Sequence, residues 1–202
     1  MLQADPTFNS IHCDCDPSSI IVADGFLGDP MRVRRQALDS KFVDWDGPDG
    51  ERYKRICITE VPGLQDGIER VMGPVDVLGM GYRLNFGGEL PNAAVHSDIG
   101  WGTHAMVLYL CDGPTSTMFW KHKATGAYRL NKGDLELFEK LRHDWNDEVK
   151  WESQRFVPCR FNRGLIYESS LFHSRYPFEA FGSDPATGRL IAVAFFTPRK
   201  SR

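Results

Sequence analysis

The feature that most constrains the fold is a succession of short apolar segments that begins at Val75 and continues almost to the end of the chain. These segments are rich in β-branched and aromatic residues and are separated by glycine, proline and aspartate, as β-strands joined by turns are. The pattern predicts a mainly β fold with flanking helices, a double-stranded β-helix or jelly roll of the cupin-like kind, with room for a site between its sheets. The predicted strands are Val77–Phe86, Thr103–Leu110, Ser116–His122, Gln154–Phe161, Gly164–Glu168 and Leu190–Thr197.

The first third of the chain is predicted to form a strand and helices that pack against the β core. Ser19–Ala23 has the composition of a buried strand, and Asp29-Pro30 predicts a helix start, because aspartate caps helices and proline fits their first turn. Apolar spacing predicts a second helix over Gly63–Met72. A chain of 202 residues is long enough for one sizeable core, so we predict a single domain over residues 1–202. Its parts are a loose N-terminal segment (1–18), helical support (20–75) and a jelly-roll core (76–198) with a helical insertion near 134–147.

Composition narrows the classes of partner. The formal net charge of −3 gives no reason to expect nucleic acid, and no apolar stretch is long enough to cross a bilayer. The first residues carry acids and no basic region, so we expect no secretory signal. The five cysteines are scattered and odd in number, which favours reduced thiols in the cytoplasm. The expected partner is therefore a small molecule, and the sequence leaves the oligomeric state open.

The strongest chemical signal is His96-Ser97-Asp98. Side chains alternate along an extended segment, so His96 and Asp98 lie on the same side of it. An imidazole nitrogen, a carboxylate oxygen and one further histidine make the facial set that leaves three positions of iron(II) open. His173 is the candidate for that histidine, because it follows the predicted strand Gly164–Glu168 after a short bend. The other histidines are His12, His104, His122 and His143.

This ordered set resembles the iron(II)/2-oxoglutarate dioxygenases, and most closely their prolyl-hydroxylase-like branch. The resemblance extends from about Ile20 to Phe196 and includes three further segments. They are Ile21–Leu27 before a helix, Val107–Leu110 after the His-x-Asp motif, and Phe161–Tyr167 leading to His173. The resemblance implies an enzyme that oxidises an unactivated C–H bond with iron(II), 2-oxoglutarate and O2, with ascorbate as a possible support. It also implies His96, Asp98 and His173 as both metal ligands and catalytic centre.

The resemblance further implies a basic residue for the distal carboxylate of 2-oxoglutarate. Arginine suits this role because its planar fork binds a carboxylate through two parallel hydrogen bonds. Arg189, at the head of the last apolar strand, is the first candidate, and Arg175 is its competitor. Ile191 stands where the family has a serine or threonine, so Tyr109 is the candidate that supplies a hydroxyl instead.

The substrate is the least constrained part of the prediction. Polar and aromatic residues near the expected mouth favour a small polar, amino-acid-like molecule, and Arg83 and Asn85 fall on one face of a predicted strand. The candidate substrate residues are Arg83, Asn85, Trp101, His104 and His122. Three alternatives remain open: a hydroxylase of peptides or proteins, a metal-binding cupin-like module without oxygenase activity, and a metal-dependent isomerase or hydrolase on the same fold.

Overall fold

The computed structural model describes residues 8–9, 20–47, 52–91 and 93–199, and it is mainly antiparallel β-sheet with three α-helices. The helices are α1 (Pro30–Asp39), α2 (Leu64–Met72) and α3 (Leu135–Leu141), and a 3₁₀ helix spans Glu148–Lys150. The strands are β1 (Phe8–Asn9), β2 (Ile20–Asp24), β3 (Val43–Asp46), β4 (Arg52–Ile58), β5 (Val75–Asn85), β6 (His104–Tyr109), β7 (Ser116–His122), β8 (Trp151–Pro158), β9 (Arg163–Glu168), β10 (His173–Tyr176) and β11 (Arg189–Pro198).

Eight of these strands form one large sheet in the order β1-β2-β9-β6-β11-β5-β4-β3, with every neighbouring pair antiparallel. The register sets Arg189 opposite Asn85, and Ile191 opposite both Arg83 and Tyr109. Because side chains alternate along a strand, these residues all project from one face of the sheet. We call that side the inner face.

The second sheet is small and covers part of the inner face. Its strand order is β10-β7-β8, and an isolated antiparallel bridge joins His96 to His173 at its edge. Phe119 and Val157 of the small sheet pack in one apolar cluster with Val107 and Ile191 of the large sheet. The two sheets therefore face each other across a shared core, and His96 adds a single bridged residue to the edge of the small sheet.

The opposite side of the large sheet, the outer face, is closed by α1 and α2. Val33 and Ala37 of α1 and Ile68 of α2 lie in one buried cluster with sheet residues such as Leu190. Asp29 caps α1 as the sequence predicts, because its side chain accepts a hydrogen bond from Arg32 N at 3.0 Å. Burial of these apolar side chains, each worth about 1.5–3 kcal/mol, is the main stabilisation on this side.

The sequence predicted most strands of the β core but not all of the sheet. Ser116–His122 matches β7 at both ends, whereas β3, β4 and β10 were not predicted. The stretch over 20–75 is therefore not only helical, since β3 and β4 complete one edge of the large sheet. Apart from Phe8–Asn9, the segment predicted to be loose lies outside the described residues. In the described part of the chain, no helix is both long enough and apolar enough to cross a membrane.

Candidate metal centre

His96 and His173 are fixed beside each other by their own backbones. His96 N donates to His173 O at 3.0 Å, and His173 N donates to His96 O at 2.9 Å. Asp98 is held next to them because its backbone N–H donates to Ser169 O at 2.8 Å. Ligand atoms of His96, Asp98 and His173 consequently lie within 4.8 Å of one another. The structure thus brings together the three residues that the motif pointed to.

The segment before His96 is anchored by the turn that follows α3. Val95 N donates to Trp145 O at 3.0 Å, and Ala94 N donates to Asn146 Oδ1 at 2.8 Å. Ala94 and Val95 are both buried, so this segment has an apolar base as well as hydrogen bonds. The helical insertion therefore positions the first histidine of the cluster.

Both imidazoles present the same nitrogen to the centre of the cluster. His96 Nδ1 lies 3.0 Å from Ala94 O, and His173 Nδ1 lies 3.0 Å from Leu171 O. A carbonyl oxygen can only accept, so each Nδ1 carries a proton and each Nε2 is left to bind a metal. Metal-ligating histidines are usually oriented by this kind of contact at the other ring nitrogen.

Tyr167 was not predicted as a site residue, yet its hydroxyl lies between two of the candidate ligands. Its Oη is 3.1 Å from Asp98 Oδ2 and 3.0 Å from His173 Nε2. Burial, followed by the charge of Asp98, raises the pKa of Tyr167 well above its usual value, so the phenol stays protonated and donates to the carboxylate. Tyr167 therefore orients Asp98 as a neutral hydrogen-bond donor and adds no negative charge beside the carboxylate.

The electrostatics of the cluster favour a bound cation. Burial alone would raise the pKa of Asp98, but the charges of His173 and His96 and hydrogen bonds from His173 and Tyr167 hold it at about 2. Burial and the charge of His173 lower the pKa of His96 to about 4, so this imidazole is neutral at neutral pH. Burial opposes charge on His173 too, but Asp98 raises its pKa above the usual value. A metal ion would displace that proton, because a ligating imidazole must be neutral.

The cluster opens on a cavity of about 310 Å³ between the two sheets. Arg83, Arg175 and Arg189 line it, and Asp98 is the one acidic residue among the described residues of its wall. Trp101 and Asn85, two of the candidate substrate residues, also line it. The rest of the wall is largely apolar and includes Trp45, Ile56, Ile58, Leu78, Met80, Ile191, Val193 and Phe195.

Arg189 lies deep in this cavity with unused hydrogen-bonding capacity. Its side chain is buried, with 5% exposed, and its Nε has no hydrogen-bond partner in the described part of the chain. The guanidinium lies 5.9 Å from the ring of Tyr109, whose hydroxyl pairs with Thr117 Oγ1 at 2.7 Å. Asn85, opposite Arg189 in the register, is equally buried and its Oδ1 has no partner among the described residues either.

Arg175 has a different environment from Arg189. Its Nε donates to Phe178 O at 2.9 Å, and its Nη2 donates to Glu89 O at 2.9 Å. Burial and the charges of Arg189 and Arg83 lower the pKa of Arg175 to about 9. Part of its fork thus holds neighbouring loops, whereas Arg189 makes no such recorded contact through Nε.

His104 and His122, which the sequence also suggested, do not line the cavity. His104 stacks on Phe196 with ring centroids 5.5 Å apart, on the outer side of the large sheet. His122 is buried in the small sheet, where Nδ1 contacts Thr125 and Nε2 lies 3.1 Å from Asp144 Oδ2. Strand alternation explains both positions, because each histidine projects from the face opposite to the site.

The fold is shared with known enzymes at low sequence identity. The non-heme alpha ketoglutarate dependent carbocyclase SnoK from nogalamycin biosynthesis superposes with a TM-score of 0.57 and 17% identity, over 88% of this chain and 79% of that one. The epimerase SnoN, of the same cofactor class and biosynthesis, superposes with a TM-score of 0.53 and 15% identity, over 88% and 76%. Such similarity establishes a common fold.

Sequence comparison leads to a family rather than to an activity. No curated protein sequence matches the chain. A family model described as a family of unknown function, DUF6445, matches residues 93–196, just over half of the 202-residue chain. That match contains His96, Asp98, His173 and Arg189. The chain belongs to the DUF6445 family.

Proposed function

We propose that the protein is a non-haem iron(II) and 2-oxoglutarate-dependent dioxygenase that oxidises an unactivated C–H bond of a small molecule. The observation that carries this proposal is the His96, Asp98 and His173 cluster facing a cavity with a buried, incompletely paired arginine. Two neutral imidazole nitrogens and one carboxylate are the donor set that suits iron(II) with open positions. Arg189 adds a buried anion-binding group to the wall of the same cavity. The fold shared with SnoK and SnoN is consistent with the proposal.

The iron(II) would be held by Nε2 of His96, Nε2 of His173 and a carboxylate oxygen of Asp98. The contacts at both Nδ1 atoms and at Asp98 Oδ2 already orient these ligands, so little rearrangement is needed on binding. When bound, iron(II) with 2-oxoglutarate supplies an O2-dependent oxidation that releases succinate and carbon dioxide. The residues that line the cavity bind the cosubstrate and exclude water from the metal site.

The distal carboxylate of 2-oxoglutarate would meet Arg189. A buried guanidinium with a free Nε can bind a carboxylate through charge-assisted hydrogen bonds, which are the strong kind. The Tyr109 and Thr117 pair lies next to it, and Thr117 itself lines the cavity. Thr117 thus offers the hydroxyl that was expected from Tyr109 directly. Arg175 is the less favoured candidate because its Nε and Nη2 are engaged with carbonyl oxygens.

The apolar wall has the second task, which is to keep water from the reacting carbon. Ile191, Val193 and Phe195 follow Arg189 on the inner face and form a continuous apolar lining beside the metal ligands. Exclusion of water protects a reactive site from side reactions and strengthens electrostatic contacts within it. The residues of β11 thus bind the cosubstrate at one end and shield the reaction at the other.

The finer assignments belong to the same proposal. We infer that the two sheets form a double-stranded β-helix and that the chain is related to the prolyl-hydroxylase-like branch. We also infer a small polar, amino-acid-like substrate and no nucleic-acid or membrane partner. Hydroxylation is the default outcome of the proposed reaction. Because SnoK and SnoN are named as a carbocyclase and an epimerase, ring closure or another related oxidation is its variant.

The test is binding of 2-oxoglutarate under nitrogen. Protein with iron(II) should develop a weak visible charge-transfer band when 2-oxoglutarate is added, and in air it should form succinate. His96→Ala should lose the band because one metal ligand is gone. Arg35→Gln, a change at an exposed position in α1 away from the cavity, is the matched control and should keep it. A protein that binds iron(II) but neither shows the band nor forms succinate would contradict the proposal.

A further inference from the structure

The cavity carries more positive charge than one cosubstrate can neutralise. Its described wall has three guanidinium groups and a single carboxylate, Asp98. The proposed function adds a doubly charged cation and a doubly charged cosubstrate, which cancel each other. An excess of two positive charges then remains on the lining residues, and the nearby Glu89 and Glu179 offset it only in part. Unbalanced charge is costly in a low-dielectric interior, so the cavity is suited to a further anion.

Arg83 is the best placed group to bind that anion. It lies on the inner face of β5, diagonal to Arg189, because β11 sets Ile191 opposite Arg83 and Arg189 opposite Asn85. Its guanidinium lies 5.4 Å from the ring of Tyr53, and its Nε is buried without a hydrogen-bond partner in the residues that the structure describes. Burial, followed by the charge of Arg189, lowers the pKa of Arg83, and Tyr53, Asp98 and Glu89 oppose this shift only in part.

The mouth of the cavity is built from aromatic rings. Trp45 packs on Tyr53 with centroids 5.9 Å apart and on Trp101 at 5.7 Å, and Trp101 stacks on Phe195 at 5.4 Å. Ile58 and Leu78 continue this wall and leave 65% and 62% of their surface exposed. Exposed apolar groups beside a cavity mark a ligand-binding surface, and aromatic rings bind flat apolar groups well.

We propose, as an extension of the proposed function, that the primary substrate is a small carboxylic acid on an apolar, ring-bearing body. Its carboxylate binds Arg83, and its ring packs against Trp45 and Trp101. Arg189 serves the cosubstrate at the deep end, so the two arginines divide two anions between them. Arg175 contributes charge and holds the loops of Glu89 and Phe178 in place. An amino-acid-like substrate is included if its side chain is aromatic.

Because Arg83 and Arg189 each bind a different anion, the proposed site is selective for its ligand. A neutral ligand of the same shape can fill the aromatic mouth but offers no charged acceptor to the buried Arg83 Nε, which penalises its binding. A small acid without a ring can pair with Arg83 but makes no contact with the tryptophans. Both parts of the ligand are needed for tight binding.

The experiment is calorimetric titration of protein loaded with manganese(II) and 2-oxoglutarate, which prevents turnover. The probes are 3-phenylpropanoate, indole-3-propanoate and L-phenylalanine, each beside its amide, with propanoate as the acid without a ring. At least one ring-bearing acid should bind tenfold or more tightly than both its amide and propanoate. Arg83→Met should remove the preference for the acid while the affinity for 2-oxoglutarate stays within about twofold. Arg35→Met is the matched control and should change neither affinity.

Three results would overturn the proposal. They are equal binding of every acid and its amide, an unchanged preference in Arg83→Met, and a loss of 2-oxoglutarate affinity in Arg83→Met as large as the loss for the acid. The comparison of acid with amide uses the unaltered protein, so it stands even if Arg83→Met fails to fold. Arg83→Lys then replaces that variant, and because a lysine is a point charge the acid should bind it several-fold more weakly. Acid binding without any 2-oxoglutarate binding would refute the proposed function and leave the anion site standing.

Discussion

The outer and inner faces of the large sheet are made by the same strands and differ in almost every other respect. On the outer face, Leu84, Leu190 and Ala194 are at most 1% exposed and pack beneath the helices. On the inner face, one position away along the same strands, stand Asn85 and Arg189. The period of two therefore separates a structural surface from a chemical one within β5 and β11.

The difference between the two faces shows where this fold tolerates the cost of buried polar atoms without hydrogen-bond partners. A buried polar atom without a partner costs about 1–3 kcal/mol, and the inner face has such atoms in Arg83, Asn85 and Arg189. Apolar residues of similar size would have been more stable there. Unpaired polar groups that gather in one cavity are expected at a binding site, because a bound ligand can supply the hydrogen bonds that they lack in the folded protein.

The largest effect should come from the proposed metal ligands, which lie opposite the inner face. We expect His96→Ala, Asp98→Ala and His173→Ala each to reduce succinate formation to background, because a facial set without one arm holds iron poorly. Stability should change little compared with the loss of activity, since none of the three is an apolar core residue. The measurements are succinate formation by each purified variant and its thermal melting. Normal succinate formation by any one of them would exclude this cluster as the catalytic centre.

The next largest effect is expected from Arg189 on the inner face, compared with its neighbour Leu190 on the outer face. Arg189→Gln should raise the 2-oxoglutarate requirement strongly, because a lost buried charged hydrogen bond costs about 2–5 kcal/mol. That cost corresponds to roughly 30-fold or more in affinity. Iron binding and stability should remain nearly unchanged.

Leu190→Ala is the control from the outer face. It should leave the 2-oxoglutarate requirement unchanged and instead lower the free energy of unfolding by about 2–5 kcal/mol, because it opens a cavity beneath the helices. Titration with 2-oxoglutarate and denaturant unfolding, performed on both variants, separate the two outcomes. If Arg175→Gln has the large effect on 2-oxoglutarate and Arg189→Gln does not, the cosubstrate pocket lies at the other arginine.

Gly79 allows a graded test of the inner face. It lines the cavity opposite Phe195, and a Cβ added there would meet no atom within 4 Å. Larger side chains should therefore fit the strand and fill the cavity instead. We expect Gly79→Ala, Gly79→Val and Gly79→Leu to weaken binding of a ring-bearing acid progressively, by about tenfold at valine, while 2-oxoglutarate binds normally.

The contrast for this series is Gly81 on the same strand. A Cβ there would lie 2.2 Å from Cys57 O, so Gly81→Ala should destabilise the sheet rather than change selectivity. Calorimetry and thermal melting distinguish the two glycines. Equal effects of both on stability would show that Gly79 is not a gap in the cavity wall.

The same alternation explains how much of the molecule was predictable from the sequence. Apolar strands such as β7 were predicted because their composition differs from that of their surroundings. β4 was missed because Arg52–Ile58 is charged and partly exposed, and β10 because its four residues, His-Ser-Arg-Tyr, carry no apolar pattern. Both strands are held by pairing with neighbours, which composition does not report.

The site was predictable to the extent that it is local. His96 and Asp98 are two positions apart, so their common side followed from the backbone alone. Which face of a strand is inner depends on the whole sheet, and that is why His104 and His122 were included although they lie elsewhere. Tyr167 could have been found from its spacing with Leu165 on one face of a buried strand, but its contact with Asp98 depends on a loop 69 residues earlier in the chain.

The smallest effect concerns a buried polar atom on the outer face. Tyr82 lies there, fully buried, and its hydroxyl has no partner in the described ranges of the chain. Burial, and next the neighbouring Cys57, raises its pKa to about 12, as expected for a phenol in apolar surroundings. Because no hydrogen bond between described residues is lost, Tyr82→Phe should leave the free energy of unfolding unchanged or raise it by up to about 1 kcal/mol.

Tyr109→Phe, on the inner face, is the comparison for this variant. It removes a hydroxyl that is hydrogen-bonded to Thr117 at 2.7 Å, so it should lower the free energy of unfolding by about 1 kcal/mol. Denaturant unfolding of both variants measures the difference. A clear destabilisation by Tyr82→Phe would mean that its hydroxyl has a hydrogen-bond partner in the folded protein, and the unpaired buried side-chain atoms of β5 and β11 would then lie on the inner face.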